Sequence, residues 1–178
     1  MQLFIAFNAE DQLRYLRDSI NSVGSSLNII SSKYYLPFHI SLKNNFTVSR
    51  ELLDEVIITL DKYVSKLRQN YVRVKGIEYS NNIVWLRMRH NIYLRKIHHD
   101  LDRILKRKFN IIRHRFDLDY KFHVTLFMDD NISKINEAYI RIKDIGTPKK
   151  IELNKIFIGL SDYGEIGSYK VYKEYTLN

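Results

Sequence analysis

Hydrophobic and polar positions along this chain follow two periods. Leu3 to Phe7 reads as a strand. Leu13, Leu16, Ile20 and Val23 then recur at helical spacing, with Asn8 as the candidate N-cap. Gly24 to Tyr35 is polar and serine-rich and reads as a loop, after which strand-like alternation resumes. Ser49 stands where it would cap a long amphipathic helix carrying Leu53, Val56, Ile57, Leu60, Val64 and Leu67. Tyr71 to Glu78 and Ile83 to Met88 form a predicted strand pair, joined through Ser80-Asn81-Asn82, with Trp85 read as core. A second long helix carries Leu94, Ile97, Leu101, Ile104 and Leu105 and ends near Phe109. Lys121 to Met128 alternates again. Ile132 to Ile142 reads as a short helix that stops before Gly146-Thr147-Pro148. Ile151 to Ser161 and Tyr169 to Leu177 close the chain as strands.

The order is strand-helix, strand-helix-strand-strand-helix, strand-helix-strand-strand. It predicts an α+β fold with an internal duplication: a bilobal single domain spanning 1–178, with two pseudo-symmetric antiparallel sheets backed by helices and a central cleft. No linker-like or proline-rich stretch divides the halves. Pro37 and Pro148 both fall at strand starts, where a missing N–H is tolerated.

The duplication carries candidate chemistry. Phe38-His39-Ile40-Ser41-Leu42 returns 84 positions later as Phe122-His123-Val124-Thr125-Leu126. Period-two alternation sends His39, Ser41 and Lys43 to one face and Phe38, Ile40 and Leu42 to the other. In the second copy His123, Thr125 and Phe127 share the corresponding face, Phe127 placed to stack on a base. Two such strands facing one cleft would bring two imidazoles and two hydroxyls around a single substrate group, an arrangement suited to phosphate chemistry. Imidazole titrates near neutrality, so one ring can accept a proton from the attacking oxygen while the other donates to the leaving oxygen. Each hydroxyl lies about 7 Å along the strand from its histidine, in position to bind phosphoryl oxygens. Neither motif supplies a third ligand for zinc, so no metal or other cofactor is expected. Asp129 and Asp130 read as acids at a helix N-terminus, and His98-His99 as a solvated helix face. Tyr34, Tyr35 and Phe46 flank the first motif as candidates to line the cleft.

Composition narrows the class of partner. A net charge of +9 and pI of about 9.6 favour a polyanion, nucleic acid first. The chain has no cysteine, which excludes disulfides and thiol nucleophiles. No run approaches the roughly 18 apolar residues that span a bilayer. A cytoplasmic, monomeric protein without membrane association is the expectation.

At these residues the chain resembles the two-histidine (2H) phosphoesterase superfamily, which is defined by two copies of His-x-Ser/Thr flanked by hydrophobic residues. The RNA 2′,3′-cyclic phosphodiesterases, also called 2′-5′ RNA ligases, are the nearest likeness. Leu3-Phe4-Ile5-Ala6, Ile83-Val84-Trp85-Leu86 and Ile156-Phe157-Ile158-Gly159-Leu160-Ser161, with Gly167-Ser168-Tyr169, extend the resemblance over nearly the whole chain. It implies a basic cleft and metal-independent hydrolysis of RNA or nucleotide 2′,3′-cyclic phosphates, or of related 2′-5′ linkages. His39 and His123 would be the acid-base pair and Ser41 and Thr125 the phosphate clamps, with Lys43, Phe127 and Tyr169 as candidate substrate contacts. A non-catalytic RNA-binding module, a 2′-5′ RNA ligase and a cyclic-oligonucleotide phosphodiesterase are the alternatives. The family often has a basic residue after its second motif, where this chain has Phe127-Met128; this departure touches the substrate more than the core reaction.

Overall fold

The first strand, β1 (Gln2–Asn8), is buried at five consecutive positions because both its faces are covered. In the computed structural model, which describes residues 1–29, 36–114, 117–118, 120–165 and 167–178, Leu3, Ile5 and Phe7 enter the main core. Phe4 and Ala6 point the other way and meet Phe157 in a second, smaller cluster. The helical segments after β1 are α1 (Glu10–Leu13), a 3-10 turn (Arg14–Leu16) and α2 (Arg17–Ser26). The N-cap of α1 is Ala9 rather than the expected Asn8, which stands one residue earlier with its Oδ1 accepting from the Glu10 N–H at 2.9 Å.

The later elements are β2 (His39–Thr47), α3 (Leu53–Val64), β3 (Asn70–Ser80), β4 (Ile83–Met88), α4 (Ile92–Phe109), β5 (His123–Met128), α5 (Ile132–Ile142), β6 (Lys150–Leu153), β7 (Lys155–Ser161) and β8 (Lys170–Thr176). The strands form two antiparallel four-stranded sheets, ordered β2-β1-β7-β8 and β5-β4-β3-β6. Each histidine strand is the edge strand of its sheet, and β2 and β5 meet in the middle of the molecule. Helix α4 packs on β2 and α5 on the second sheet, enclosing one apolar core that draws residues from both sheets. Among the described residues no helix is long and apolar enough to cross a membrane.

Three elements depart from their expected bounds. Ile151 to Ser161 is two strands, because the chain leaves β3 and joins β1 at Asn154, whose carbonyl accepts from the Leu177 N–H at 2.8 Å. Helix α3 starts at Leu53, after a turn in which the Ser49 carbonyl accepts from Leu52 at 3.3 Å. Helix α2 runs through Gly24 to Ser26, held by Arg141 of α5, which donates to the Ser26 hydroxyl at 3.0 Å. Residues 30–35 of that expected loop, including Tyr34 and Tyr35, lie outside the described residues.

Candidate active site

The two pentapeptides form matching pieces of sheet. In the first, His39 and Ser41 lie opposite Asn8 and Ala6 of β1; in the second, His123 and Thr125 lie opposite Arg87 and Trp85 of β4. The intervening Ile40 and Val124 are fully buried. Ladder pairing then slips by one residue in both copies. Ala6 pairs with Ser41 but Ile5 with Lys43, leaving Leu42 unpaired. Trp85 pairs with Thr125 but Val84 with Phe127, leaving Leu126 unpaired. The same residue of the repeat is therefore bulged twice, and a bulge reverses the face of everything after it.

This corrects two expected substrate contacts. Lys43 and Phe127, equivalent positions of the repeat, turn into the core at 1% and 0% exposure. Lys43 is held between Asp117 Oδ2 (2.5 Å) and Asp102 Oδ1 (2.9 Å). Asn44 Nδ2 also donates to Asp117, at 2.7 Å. Phe46 is buried core as well, since the strand's irregular register pairs it with Leu3. His98 is no solvated residue either, being 3% exposed. One of its ring nitrogens faces the carbonyl of the bulged Leu42 at 2.7 Å, the other the carbonyl of Asp117 at 3.1 Å. These contacts tie the bulge of β2 to the segment that leads into β5.

Both candidate histidines are oriented by the same local bond. His39 Nδ1 lies 2.8 Å from the carbonyl of Pro37, and His123 Nδ1 lies 2.6 Å from the carbonyl of Lys121. A carbonyl only accepts, so Nδ1 carries the hydrogen in each ring and Nε2 is left as the reactive nitrogen. The walls differ. His39 sits between Phe4 (ring centroids 5.2 Å apart) and Phe157 (5.7 Å). Gly159 makes the room for Phe4, because a Cβ there would fall 1.9 Å from the ring. His123 lies against Trp85 (4.7 Å) and Tyr120 (6.1 Å).

Burial lowers the proton affinity of both rings. It holds His39 below the usual imidazole range, opposed by the Pro37 bond and assisted by the Arg17 charge. It pushes His123 down to about 4, with the charges of His39 and Arg87 acting in the same direction. The two rings are thus close enough to sense each other. A cavity of about 320 Å³ opens between the sheets, lined by His39, Ser41, Thr125, Tyr169, Phe4 and Arg17 among others. His123 lies two residues before Thr125 on the same face of β5.

Several side chains in this cleft escaped sequence reasoning. Trp85 is not core but faces the cleft beside His123; its strand alternates Trp85 and Arg87 against Val84 and Leu86, and that polar Arg87 marked the face. Tyr120 hydrogen-bonds Ser41 through its side chain while stacking on His98 (5.3 Å, 14° between planes). Arg17 lays its guanidinium 3.7 Å over the Phe38 ring and pairs with Glu10. No pattern in the chain announced Tyr120 or Arg17. Among the described residues no cluster of three or more His, Asp or Glu side chains is arranged to hold a metal ion.

No family model and no curated protein matches this sequence. Solved structures do match, end to end. TT0787 of Thermus thermophilus superposes with a TM-score of 0.68 at 14% identity, over 99% of this chain and 98% of that one. A phosphoesterase gives 0.60 at 14% identity, over the same shares. LigT of E. coli complexed with 3′-AMP gives 0.58 at 15% identity, again over 99% and 98%. The likeness establishes a common fold.

Proposed function

We propose that the protein is a two-histidine phosphoesterase that hydrolyses RNA or nucleotide 2′,3′-cyclic phosphates, using His39 and His123 as the acid-base pair. The observation that carries this reading is the identical mounting of the two imidazoles. Each has Nδ1 bound to the carbonyl two residues before it and a hydroxyl side chain two residues after it, and His39, Ser41 and Thr125 line one cavity. The fold shared with a phosphoesterase and with LigT, which has been captured with 3′-AMP, supports the same reading.

The step balances without a metal. Nε2 of one neutral histidine takes a proton from water as its oxygen bonds to phosphorus. The bond from phosphorus to one ribose oxygen breaks, and the other histidine, protonated on Nε2, gives its proton to that oxygen. The product is a phosphomonoester, and the two rings have exchanged protonation states. Ser41 and Thr125 donate to the non-bridging oxygens as charge develops there. Tyr120 supports Ser41: a side-chain hydrogen bond between them holds the serine in place, and burial raises the phenol well above the usual range, so it stays protonated.

A substrate panel tests this function. Nucleoside 2′,3′-cyclic phosphates, RNA ending in a cyclic phosphate, 2′-5′ and 3′-5′ linked dinucleotides and a cyclic dinucleotide are incubated with the protein, and product ends are identified. Ring opening of the first two in the presence of EDTA is expected. Binding across the panel without turnover would replace the enzyme by an RNA-binding module, and joining of supplied RNA ends in preference to hydrolysis would make it a ligase.

A further inference from the structure

The cleft faces of the two sheets are chemically unlike. That of the first is aromatic: Phe4, Ala6 and Phe157 lie beside His39, and Asn8 Nδ2 donates to the Glu174 carboxylate at 2.6 Å. That of the second is basic. Arg87 lies directly opposite His123 in the β4–β5 pair. Beyond it the Arg89 N–H donates to the Arg73 carbonyl at 2.8 Å, Arg73 pairs with Lys150, and the Val74 N–H donates to the Lys149 carbonyl at 3.0 Å. These residues follow one another from the His123 strand to the far edge of the sheet, three strand spacings or about 14 Å away. At that edge Tyr71, Arg73, Val74, Arg89, Lys149 and Lys150 frame an open cavity of about 590 Å³.

Carboxylates are scarce around this concavity. Several exposed cations elsewhere are matched: Lys96 with Asp100, Lys155 with Asp11, Lys173 with Asp61. Among the described residues Arg73, Arg89 and Lys149 have no carboxylate partner, and Lys150 has only Glu152 at 3.7 Å. Clustered like charges around a concavity raise the energy of the empty surface and favour a polyanion in it. Tyr71, 45% exposed with the Lys150 ammonium 5.5 Å from its ring centre, adds an aromatic face on which a base can stack.

We propose that this stripe is a track for the backbone of single-stranded RNA, leading the chain away from the scissile phosphate, so that the enzyme prefers an RNA end to a free mononucleotide. The substrate preference rests on the phosphodiesterase reading above; the track itself does not. It is tested by fluorescence anisotropy with a single-stranded RNA oligomer ending in an ordinary 3′-hydroxyl, which has no bond for the cleft to cleave. Arg73→Ala/Arg89→Ala/Lys150→Ala is compared with wild type across a salt series, with thermal unfolding as the check on folding and Lys149→Ala/Lys150→Ala as a milder second variant. Binding by the triple variant should weaken about tenfold or more at low salt. The slope of log affinity against log salt should flatten by about 2, or about 0.7 for each cation removed. With a cyclic-phosphate end on the oligomer, the ratio of kcat/KM for oligomer to that for mononucleotide should fall in step. Wild-type affinity and slope in a folded triple variant would overturn the track, as would binding to phosphatidylglycerol vesicles but not to RNA. Track-dependent binding with no turnover of any substrate would uphold the track while removing the hydrolytic function.

Discussion

The free protein holds both candidate catalytic histidines neutral at pH 7. Burial against Trp85 and Tyr120 takes His123 down to about 4, and burial among aromatic rings takes His39 below its ordinary value. Acid-base catalysis by a pair needs one of them protonated, so the proton must be recruited by the substrate's own charge. One negative charge about 4 Å from an imidazole, at an effective dielectric constant of about 20, is worth about 4 kcal/mol. That corresponds to about a thousandfold in proton affinity. The perturbation is therefore saturation with inorganic phosphate, and the assay is an NMR pH titration of the His39 and His123 Cε1–H signals with and without it. Both free midpoints should lie below 6.5, and phosphate should move one of them upward by about three pH units. In kinetics the bell for kcat/KM, which reports the free enzyme, should lie on the acid side of the bell for kcat. Free midpoints at or above 6.5, or midpoints indifferent to phosphate, would refute the reasoning. The sign for stability follows from the same depression. Because the folded form favours the neutral ring, His123 contributes stability above about pH 6.5 that is lost as the pH falls towards about 4.

Three substitutions probe the scaffold. Lys43→Met leaves Asp102 and Asp117 buried without their shared cation and should cost about 3–5 kcal/mol in urea unfolding; a loss below about 1 kcal/mol would show that the cluster does not hold β2 to the approach of β5. Burial alone would raise the Asp117 carboxyl, but the Lys43 hydrogen bond and charge outweigh it and hold the carboxyl low, so wild-type stability should also fall as acid protonates Asp117. Gly159→Ala places a methyl inside the Phe4 ring and should destabilise by about 1–3 kcal/mol while displacing the wall of His39; adding Phe4→Leu should restore stability, and no rescue would locate the strain elsewhere. Tyr120→Phe keeps the ring stacked on His98 but removes the bond to Ser41. It should cost about 1 kcal/mol of transition-state binding, about fivefold in kcat/KM, and an unchanged kcat/KM would exclude Tyr120 from positioning the serine.

The repeat was legible because strand alternation placed each histidine two residues from a hydroxyl, and over that short span the structure follows the alternation. The rule failed one residue later. A bulged leucine, Leu42 or Leu126, carries no signature of its own, yet it reverses the face of Lys43 and Phe127, so the residues expected to distinguish the two copies turned out to be core. Asn154 is similar: a single residue sends an apparently continuous strand into two sheets. His98 and Tyr120 were illegible for another reason. Their partners, the carbonyl of Leu42 and the hydroxyl of Ser41, lie 56 and 79 positions away along the chain, and no local pattern encodes such a bond. The position of Trp85 was legible, since Arg87 on the same face of β4 argues against a core position.

The mechanism stands on His39 and His123 dividing the proton transfers. Single-turnover hydrolysis of an RNA 2′,3′-cyclic phosphate by His39→Ala and by His123→Ala, each confirmed folded and each assayed in EDTA, tests it most directly. Either substitution alone should lower the rate by about 10²–10⁴ while wild-type activity survives chelation. Full activity in either variant would contradict it.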